Sequence, residues 1–312
     1  MKIVFLLPVY NDEASLLKLF GDIKKKINEN FQLQFVVIND CSNHKLLDIQ
    51  KLQNITLINL KTNLGNQKSV FAGILYIYSA KINFDYLVIM DSDGEDDPDY
   101  ILTLINSAKE NNNKKIIFAS RLKRNEGLLY IILYFMYKFI FKLFTGRKLN
   151  FGNYSCIPKN ILEPVVNVPF LDRHYASAVL GSGLPHACVP CNKGKRYYGK
   201  SSMSFVNFIL HAAKSFSVFY EKIIARFLIF SFLGMIFSIV SIIFVVIHRY
   251  TASFILIGWS SNIVLGLLTI GIFFLFIFFS CLLQLLNKNN FIQSYTNKFN
   301  DLNFIHSIEE KN

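Results

Sequence analysis

The stretch Tyr86-Leu87-Val88-Ile89-Met90-Asp91-Ser92-Asp93 decides the fold of this chain. Its first five residues are apolar and partly β-branched, which is typical of a buried parallel strand. Asp91 and Asp93 follow directly, and a further group of acids stands at 95–97. Ligands of open α/β sheets bind at the carboxyl edge of the strands. We therefore expect a ligand site at Asp91 and Asp93.

Two carboxylates at a sheet edge predict a particular kind of ligand. Mg²⁺ and Mn²⁺ prefer hard oxygen ligands and keep substrate phosphate in their coordination shell. Asp91 and Asp93 are therefore candidate metal ligands for a bound diphosphate. The alternative is a solvated turn, but the preceding strand favours the site. A zinc site at Cys188 and Cys191 is not favoured, because no second ligand pair completes it.

Strand and helix signals alternate through the first 120 residues. Strands are expected at 2–7, 34–38, 55–60, 86–90 and 115–119, and helices at 13–28, 67–79 and 98–110. This alternation predicts an α/β fold with a mostly parallel sheet flanked by helices. Polar residues after the first two strands, Tyr10 to Asp12 and Asn39-Asp40, should then lie on the same edge as Asp91.

The C-terminal third predicts a membrane hairpin. Residues 227–247 and 254–286 contain no charged residue. About 20 apolar residues cross a bilayer core of roughly 30 Å. We expect one transmembrane helix at 227–247 and a second at 263–286. The net charge of +12 then fits an anionic membrane surface. Nucleic acid is not an expected partner, because no recognition motif accompanies the charge.

The distribution of cations predicts the orientation of the hairpin. Lysine and arginine residues precede the first span and follow the second, at Lys214, Lys222, Arg226, Lys288 and Lys298, whereas the connecting loop offers Arg249 and His248. Cations concentrate on the cytoplasmic side. We expect a multi-pass protein of the inner membrane, with the N-terminal domain and both termini in the cytoplasm.

Two further segments are predicted to contact the membrane surface. Residues 128–144 are apolar and aromatic except for Lys138 and Lys142, which share one helical face. A third span would move the next 80 residues across the bilayer, so an amphipathic helix in the interface is favoured. Residues 203–219 predict a second surface helix, with His211 and Lys214 on its polar side.

Several ordered motifs resemble the family 2 glycosyltransferases of GT-A fold. They are Pro8-Val9-Tyr10-Asn11-Asp12-Glu13, Val37-Ile38-Asn39-Asp40-Cys41-Ser42, Asn63-Leu64-Gly65 with Ala72-Gly73, and Asp91 to Pro98. Within that family the chain is similar to the membrane-anchored enzymes related to dolichyl-phosphate mannose synthase and the bacterial undecaprenyl-phosphate glucosyltransferases. Cys41 stands where the family usually has glycine.

The resemblance implies roles for individual residues. Pro8, Tyr10, Asn11, Glu13 and Asp40 would bind the nucleotide of a nucleotide-sugar, for which a UDP-sugar is favoured. Asp91 would face the nucleotide end, and Asp93, with the Mg²⁺ or Mn²⁺, would act on the diphosphate as a catalytic residue. Asp40 has an alternative interpretation as a turn former.

Later motifs depart from the family pattern. Asn153 stands where relatives carry an aspartate that has been considered catalytic, and Ser202 stands where they carry a lysine. Four basic residues are interpreted as phosphate or acceptor ligands: Arg121, Arg124, Arg196 and Lys200. Arginine and lysine both suit phosphate, although the same residues could form a basic loop on lipid headgroups.

The favoured function is an inverting, metal-dependent transfer of a sugar to polyprenyl (undecaprenyl) phosphate at the cytoplasmic leaflet. A phosphate acceptor is already anionic and needs no base. One alternative is a hydroxyl acceptor on a lipid-linked sugar or glycan, for which Asp96 is the candidate catalytic base. The other is a non-catalytic degenerate transferase.

The expected organisation has four parts. They are a nucleotide-sugar-binding domain at 1–125, an acceptor-side and membrane-interface region at 126–222, two transmembrane helices at 223–290 and a cytoplasmic tail at 291–312. Anchored relatives assemble through membrane-proximal helices, so a homo-oligomer is a further expectation.

Overall fold

A computed structural model describes residues 1–27, 30–121, 128–199, 205–251, 258–286 and 304–311. The chain divides into two units. The first unit comprises Met1–Val218 together with Leu302–Asn312, and the second comprises Phe219–Asp301.

The first unit is built around one eight-stranded mixed sheet. Its strands are β1 (Lys2–Val9), β2 (Gln32–Asn39), β3 (Ile55–Leu60), β4 (Tyr86–Ile89), β5 (Ile116–Arg121), β6 (Phe151–Pro158), β7 (His186–Cys191) and β8 (Ile305–Lys311). Their order is β7-β5-β6-β4-β1-β2-β3-β8. The four strands β4, β1, β2 and β3 pair in parallel. The predicted α/β fold is confirmed, with β6 antiparallel between β4 and β5.

Helices cover both faces of this sheet. The helices of the first unit are α1 (Glu13–Lys26), α2 (Asn66–Ser79), α3 (Ile101–Glu110), α4 (Leu128–Thr145), α5 (Leu162–Val166), α6 (Tyr175–Ser182) and α7 (Phe205–Ser217). Alternate residues of β1 point to opposite faces. Phe5 and Leu7 join the core formed with α1 and α3, whereas Leu6 meets α2 at Gly73. Because both faces are covered, the strands are apolar throughout.

The parallel register brings the ends of three strands to one edge. Val9 of β1 is opposite Asn39 of β2, and Leu6 of β1 is opposite Ile89 of β4. The segments after β1, β2 and β4 therefore begin at the same edge of the sheet. This is the edge at which the sequence predicted a ligand site.

The last strand, β8, was not predicted from the sequence. It pairs antiparallel with β3 at the edge of the sheet. Side chains reinforce the pairing, since Tyr76 donates to Glu310 at 2.6 Å and Gln50 donates to Glu309 at 2.8 Å. Charged residues on an edge strand also protect it from pairing with another chain. Residues 305–311 are thus part of the sheet, within the segment that we expected to be a tail.

Helices α4 and α7 pack on each other and leave apolar surfaces exposed. Tyr137 and Ser215 share a hydrogen bond of 2.7 Å between their hydroxyls, and Phe216 packs on Phe141. The exposed apolar residues of these helices, called here the α4–α7 surface, are Phe135, Met136, Phe139, Ile140, Leu143, Phe205, Val206, Ile209 and Leu210.

The second unit is a pair of long apolar helices, α8 (Tyr220–Thr251) and α9 (Trp259–Leu286). They run antiparallel, because Tyr220 donates to the carbonyl of Gln284 and Ser238 donates to that of Leu267. Both are long and apolar enough to cross a membrane by length and composition. They contain the two predicted spans, 227–247 and 263–286. The flanking Lys288 and Lys298 lie outside the described residues.

Candidate active site

Asp91 and Asp93 lie at the carboxyl end of β4, and each forms hydrogen bonds with two other residues. The backbone N–H of Asp91 donates to Asp96 Oδ2 at 2.9 Å, and its own Oδ1 accepts from the Asn66 amide at 2.8 Å. Asp93 Oδ1 accepts from the Glu95 N–H at 2.9 Å, and Asp93 Oδ2 accepts from Arg196 at 3.0 Å. The Asp91 to Asp97 segment is therefore held in one shape by its own carboxylates.

Burial makes Asp93 and Asp96 hard to ionise. The pKa of Asp93 is raised to about 6, first by burial and then by the nearby charge of Asp91. Burial and Asp91 also raise the pKa of Asp96, which is buried. A divalent cation would relieve this crowding, because it stabilises the ionised carboxylates.

Among the described residues, three basic side chains lie close enough to the acids to neutralise them in part. Arg196 contacts Asp93 and lies 3.9 Å from Asp12. Lys193 lies 2.8 Å from Glu95. Arg121, at the end of β5, lies 3.6 Å from carboxylate oxygens of both Glu95 and Asp96.

Two of the predicted phosphate ligands, Arg121 and Arg196, thus lie beside the acids. The other two, Arg124 and Lys200, lie outside the described residues, as does Ser202.

The backbone around Arg196 packs directly on the acidic segment. The Tyr197 N–H donates to the Asp93 carbonyl at 2.9 Å, and the Tyr197 ring covers Gly94. Gly94 has φ of +87°, and a Cβ there would lie 2.7 Å from Tyr197 Cδ2. Glycine is required at this position by both its conformation and the ring above it. This close packing places the Arg196 guanidinium within hydrogen-bond distance of the Asp93 carboxylate.

Asp40, directly after β2, forms two hydrogen bonds with the loop that precedes α2. Its two carboxylate oxygens accept from the N–H groups of Leu64 and Gly65, at 2.7 and 2.8 Å. Burial raises the pKa of Asp40, while these two hydrogen bonds act in the opposite direction. Both oxygens are thus engaged by the loop that precedes α2.

The remaining predicted nucleotide ligands surround the ends of β1 and β2. Pro8 lies within β1, and Tyr10 is 48% exposed. Asn11 joins the two loops, because its N–H donates to Ser42 Oγ at 2.9 Å. The carboxylate of Glu13 accepts from the N–H groups of residues 48 and 49 and so caps the short 3-10 helix Ile49–Lys51. The described hydrogen bonds of Glu13 therefore lead to the segment between β2 and β3 and not to the acids.

Two pairs of polar residues near the acids were not among the predicted site residues. Asn66 and Gln67 begin α2 and link Asp91 to Asn153. His174 and His211 share a contact of 3.2 Å between their Nε2 atoms. Consecutive amides directly after Gly65, at the start of a helix, were a usable signal for the first pair. The histidines lie far apart in the sequence, and no local pattern marks them.

The arrangement fits a divalent cation held largely by its substrate. Among the described residues, no group of three or more histidine, cysteine or acidic side chains could hold a metal ion. Asp91 and Asp93 would supply hard oxygens, and a diphosphate and water would complete the shell. This division is typical of Mg²⁺, which binds through one or two carboxylates plus substrate phosphates.

Comparison with known proteins gives a family and a fold. The model of the family described as "Glycosyl transferase family 2" matches residues 4–162, just over half of the chain. The chain is 23% identical over 281 residues to the uncharacterized glycosyltransferase YkcC of Bacillus subtilis (strain 168). That match covers 85% of this chain and 83% of YkcC.

Two solved structures share the fold. Glucosyl-3-phosphoglycerate synthase from Mycobacterium tuberculosis, in complex with Mn²⁺, UDP-glucose and phosphoglyceric acid, has a TM-score of 0.53 at 11% identity. The match covers 71% of this chain and 79% of that one. Mannosyl-3-phosphoglycerate synthase from Rubrobacter xylanophilus has a TM-score of 0.54 at 12% identity, and 70% and 72% of the two chains are covered.

Proposed function

The chain belongs to glycosyl transferase family 2, and we propose from this premise that it is an inverting enzyme of the membrane-anchored subgroup. It moves a sugar from a nucleotide-sugar to a polyprenyl phosphate, such as undecaprenyl phosphate, at the cytoplasmic leaflet. The observation that carries the proposal is the position of α7. His211 of this helix contacts His174 and lies within electrostatic range of Asp91, and the helix exposes apolar residues elsewhere on its surface.

The donor proposal rests on the acids at the end of β4. The M. tuberculosis synthase of the same fold was crystallised with Mn²⁺ and UDP-glucose, and we extend that donor class to this chain. Asp91 and Asp93 would hold a divalent cation, which would supply positive charge for the departing nucleotide diphosphate. Arg196, already at Asp93, adds a fixed positive charge beside the same oxygens.

The nucleotide itself is assigned to the loops after β1 and β2. Pro8, Tyr10 and Asn11 lie at this edge, and half-exposed Tyr10 offers a ring for stacking on the base. Asp40 holds the loop before α2 through Leu64 and Gly65. We assign Asp40 to shaping the nucleotide pocket rather than to general-base chemistry.

The acceptor proposal rests on the α4–α7 surface. Burial lowers the pKa of His211, Lys214 lowers it further, and Asp91 acts in the opposite direction. Asp91 is therefore within electrostatic range of α7. On the same helix Phe205, Ile209 and their neighbours are exposed. Exposed apolar side chains beside basic residues are typical of a helix lying in the membrane interface. A lipid phosphate held there would meet the acids from the membrane side.

A phosphate acceptor needs no general base, which fits the roles of Asn153 and Asp96 in the structure. Asn153 cannot accept a proton, and its amide is used in hydrogen bonds to Asn66 and Gln67. Asp96 is buried and holds the backbone of Asp91. A phosphate monoester, with a second pKa of about 6, is an anion before it attacks. Orientation and charge neutralisation are then sufficient.

We further propose that α8 and α9 cross the membrane and that both chain ends are cytoplasmic. β8 follows the two helices in the sequence and pairs with β3. A chain that returns to its own sheet must cross the bilayer an even number of times. Two spans satisfy this condition. The four-part organisation at 1–125, 126–222, 223–290 and 291–312 remains part of the proposal, with β8 inside the last part.

A transfer assay tests the proposal directly. Purified full-length protein is given Mn²⁺ or Mg²⁺, a mixture of nucleotide-sugars and undecaprenyl phosphate, and the lipid product is identified by mass. A lipid-linked monosaccharide is expected from the wild type and not from Asp93→Asn. No product with any donor would contradict the proposal. Transfer only to a lipid-linked sugar would instead support the hydroxyl-acceptor alternative.

A further inference from the structure

A chain of hydrogen bonds runs from the start of α6 to Asp91. The Tyr175 N–H donates to Gln67 Oε1 at 2.7 Å, and Gln67 Nε2 donates to Asn153 Oδ1 at 3.1 Å. Asn153 Nδ2 then donates to Asn66 Oδ1 at 3.0 Å, and Asn66 Nδ2 donates to Asp91 Oδ1 at 2.8 Å. Three carboxamides thus connect a backbone N–H to a carboxylate.

The direction of this hydrogen-bond chain is set at both ends. A backbone N–H can only donate, so it must meet the oxygen of Gln67. An ionised carboxylate can only accept, so it must meet the nitrogen of Asn66. Asn153 lies between the two and can satisfy both neighbours in one orientation only. Reversing any one carboxamide would place two oxygens or two NH₂ groups face to face.

The end of the hydrogen-bond chain at Tyr175 is buried in the protein interior. Tyr175 is fully buried, and Gln67 is buried as well. Tyr175 opens α6, where the helix carries partial positive charge and unpaired N–H groups. His174, the residue before it, accepts from the Ser177 N–H and caps the same helix. The hydrogen-bond chain therefore starts from a rigid point.

We propose that Asn153 is a positioning residue that holds the Asp91 carboxylate in one orientation, acting through Asn66. One oxygen of Asp91 is committed to the Asn66 amide, so the carboxylate cannot rotate freely. The catalytic meaning of this positioning rests on the proposed function, in which Asp91 binds the metal and diphosphate. The hydrogen-bond chain itself does not depend on that function.

The proposal explains why an amide stands at this position. A carboxylate at 153 could accept from Gln67 but could not donate to Asn66. Asn66 would have to turn its own NH₂ toward residue 153, and its oxygen would then face Asp91. That contact between two oxygens is repulsive. An aspartate at 153 would therefore disturb Asp91 in this protein, even though it has the same shape as asparagine.

A double-mutant cycle measured by thermal unfolding tests the positioning role of Asn153 without any substrate. Asn153→Asp in the full-length protein should lower the Tm by about 3–6 °C, the effect of one or two lost hydrogen bonds in a domain of this size. Asp91→Asn alone should not lower the Tm, because its oxygen still accepts from Asn66 and the repulsion of Asp91 with Asp93 and Asp96 is relieved. In the double variant the new amide at position 91 can donate to the reversed Asn66, so the Tm should return to near that of Asp91→Asn. Asn160→Asp, at an exposed position outside the hydrogen-bond chain, is the matched control.

The same substitutions in an Asn66→Ala protein distinguish the hydrogen-bond chain from direct charge repulsion between residues 91 and 153. Asn66 is exposed, so Asn66→Ala should fold. In that background Asp91→Asn should change the Tm by the same amount with and without Asn153→Asp, which means no specific rescue, because the connection between them is gone. Rescue that persists without Asn66 would overturn the proposal, as would Asn153→Asp with wild-type Tm. Because the cycle measures only Tm, a failed transfer assay would leave its result interpretable.

Discussion

The guanidinium of Arg196 lies 3.0 Å from the carboxylate of Asp93, although 103 residues separate the two in the sequence. Arg196 lowers the pKa of Asp93, against the larger effects of burial and of Asp91. The bond is possible because Tyr197 and Gly194 fasten their segment to the backbone of Asp93 and Glu95. The fold itself therefore places the positive charge of Arg196 beside the acidic segment that contains Asp93.

Replacing Arg196 should weaken binding of the donor diphosphate. Arg196→Gln removes the charge and the hydrogen bond to Asp93, so the KM for the nucleotide-sugar should rise roughly tenfold, equivalent to about 1.4 kcal/mol. Steady-state kinetics with varied donor measures this change. Arg147→Gln, an arginine after α4 with no contact to the acids among the bonds described, is the matched control. An unchanged donor KM in Arg196→Gln would contradict the assignment.

The raised pKa of Asp93 predicts how stability depends on pH. The folded protein holds this proton up to a pH of about 6, whereas the unfolded chain releases it near the ordinary value of 3.8. The folded state therefore binds more protons in this window, and the contribution of Asp93 to stability falls as pH rises from about 4 to about 6. Asp93→Asn should flatten this part of the Tm profile.

Mn²⁺ should reverse that loss at neutral pH. The cation binds the ionised carboxylates and competes with protons. Thermal unfolding with and without Mn²⁺ should show stabilisation of the wild type at pH 7 and a smaller effect at pH 5. The stabilisation should disappear in Asp93→Asn. Equal stabilisation of both proteins would place the cation elsewhere.

Asp96→Asn distinguishes the two acceptor classes. The asparagine oxygen can still accept from the Asp91 N–H, so the fold and the donor Kd should be retained. With a phosphate acceptor, turnover should stay within about threefold of the wild type. A catalytic base would instead contribute about 10²–10⁴-fold, and its removal would cost that factor. Asp99→Asn, which changes an exposed acid in the same region, controls for the altered charge.

A charge on α7 should impair use of the lipid. Ile209 is 49% exposed on the α4–α7 surface. Ile209→Glu should raise the KM for the polyprenyl phosphate in liposomes by roughly tenfold, through loss of apolar burial in the interface. Donor binding should not change. Leu47→Glu introduces the same charge at an exposed apolar residue between β2 and β3. An equal effect of both variants would argue against a specific membrane contact of α7.

Removal of the last strand should destabilise the first unit. Deletion of 304–312 exposes the edge of β3, so the Tm should fall and the protein should aggregate more readily. Tyr76→Phe removes only the hydrogen bond to Glu310 and should lower the Tm by about 2–4 °C. Thermal unfolding and light scattering measure both. A deletion with wild-type Tm would show that β8 contributes nothing to the sheet.

Much of the fold could be predicted because its signals are local. Apolar runs, their spacing and the acids after 86–90 lie within a few residues of one another. The same holds for the long uncharged runs of α8 and α9. Parallel strands bring their carboxyl ends to one edge, so the placement of Asp40 and Asp91 on the same edge could be predicted from the shared strand direction.

Contacts between distant segments decided the rest. Nothing in 305–311 marks it as the partner of β3, because an edge strand is short, polar and stabilised by its neighbour rather than by its own pattern. Asn153 was recognised as a residue that cannot be a base, but its bond to Asn66 spans 87 residues. The sequence thus determined which residues could do the chemistry. Only tertiary packing decided how their carboxylates and amides are oriented, because a hydrogen bond depends on both partners.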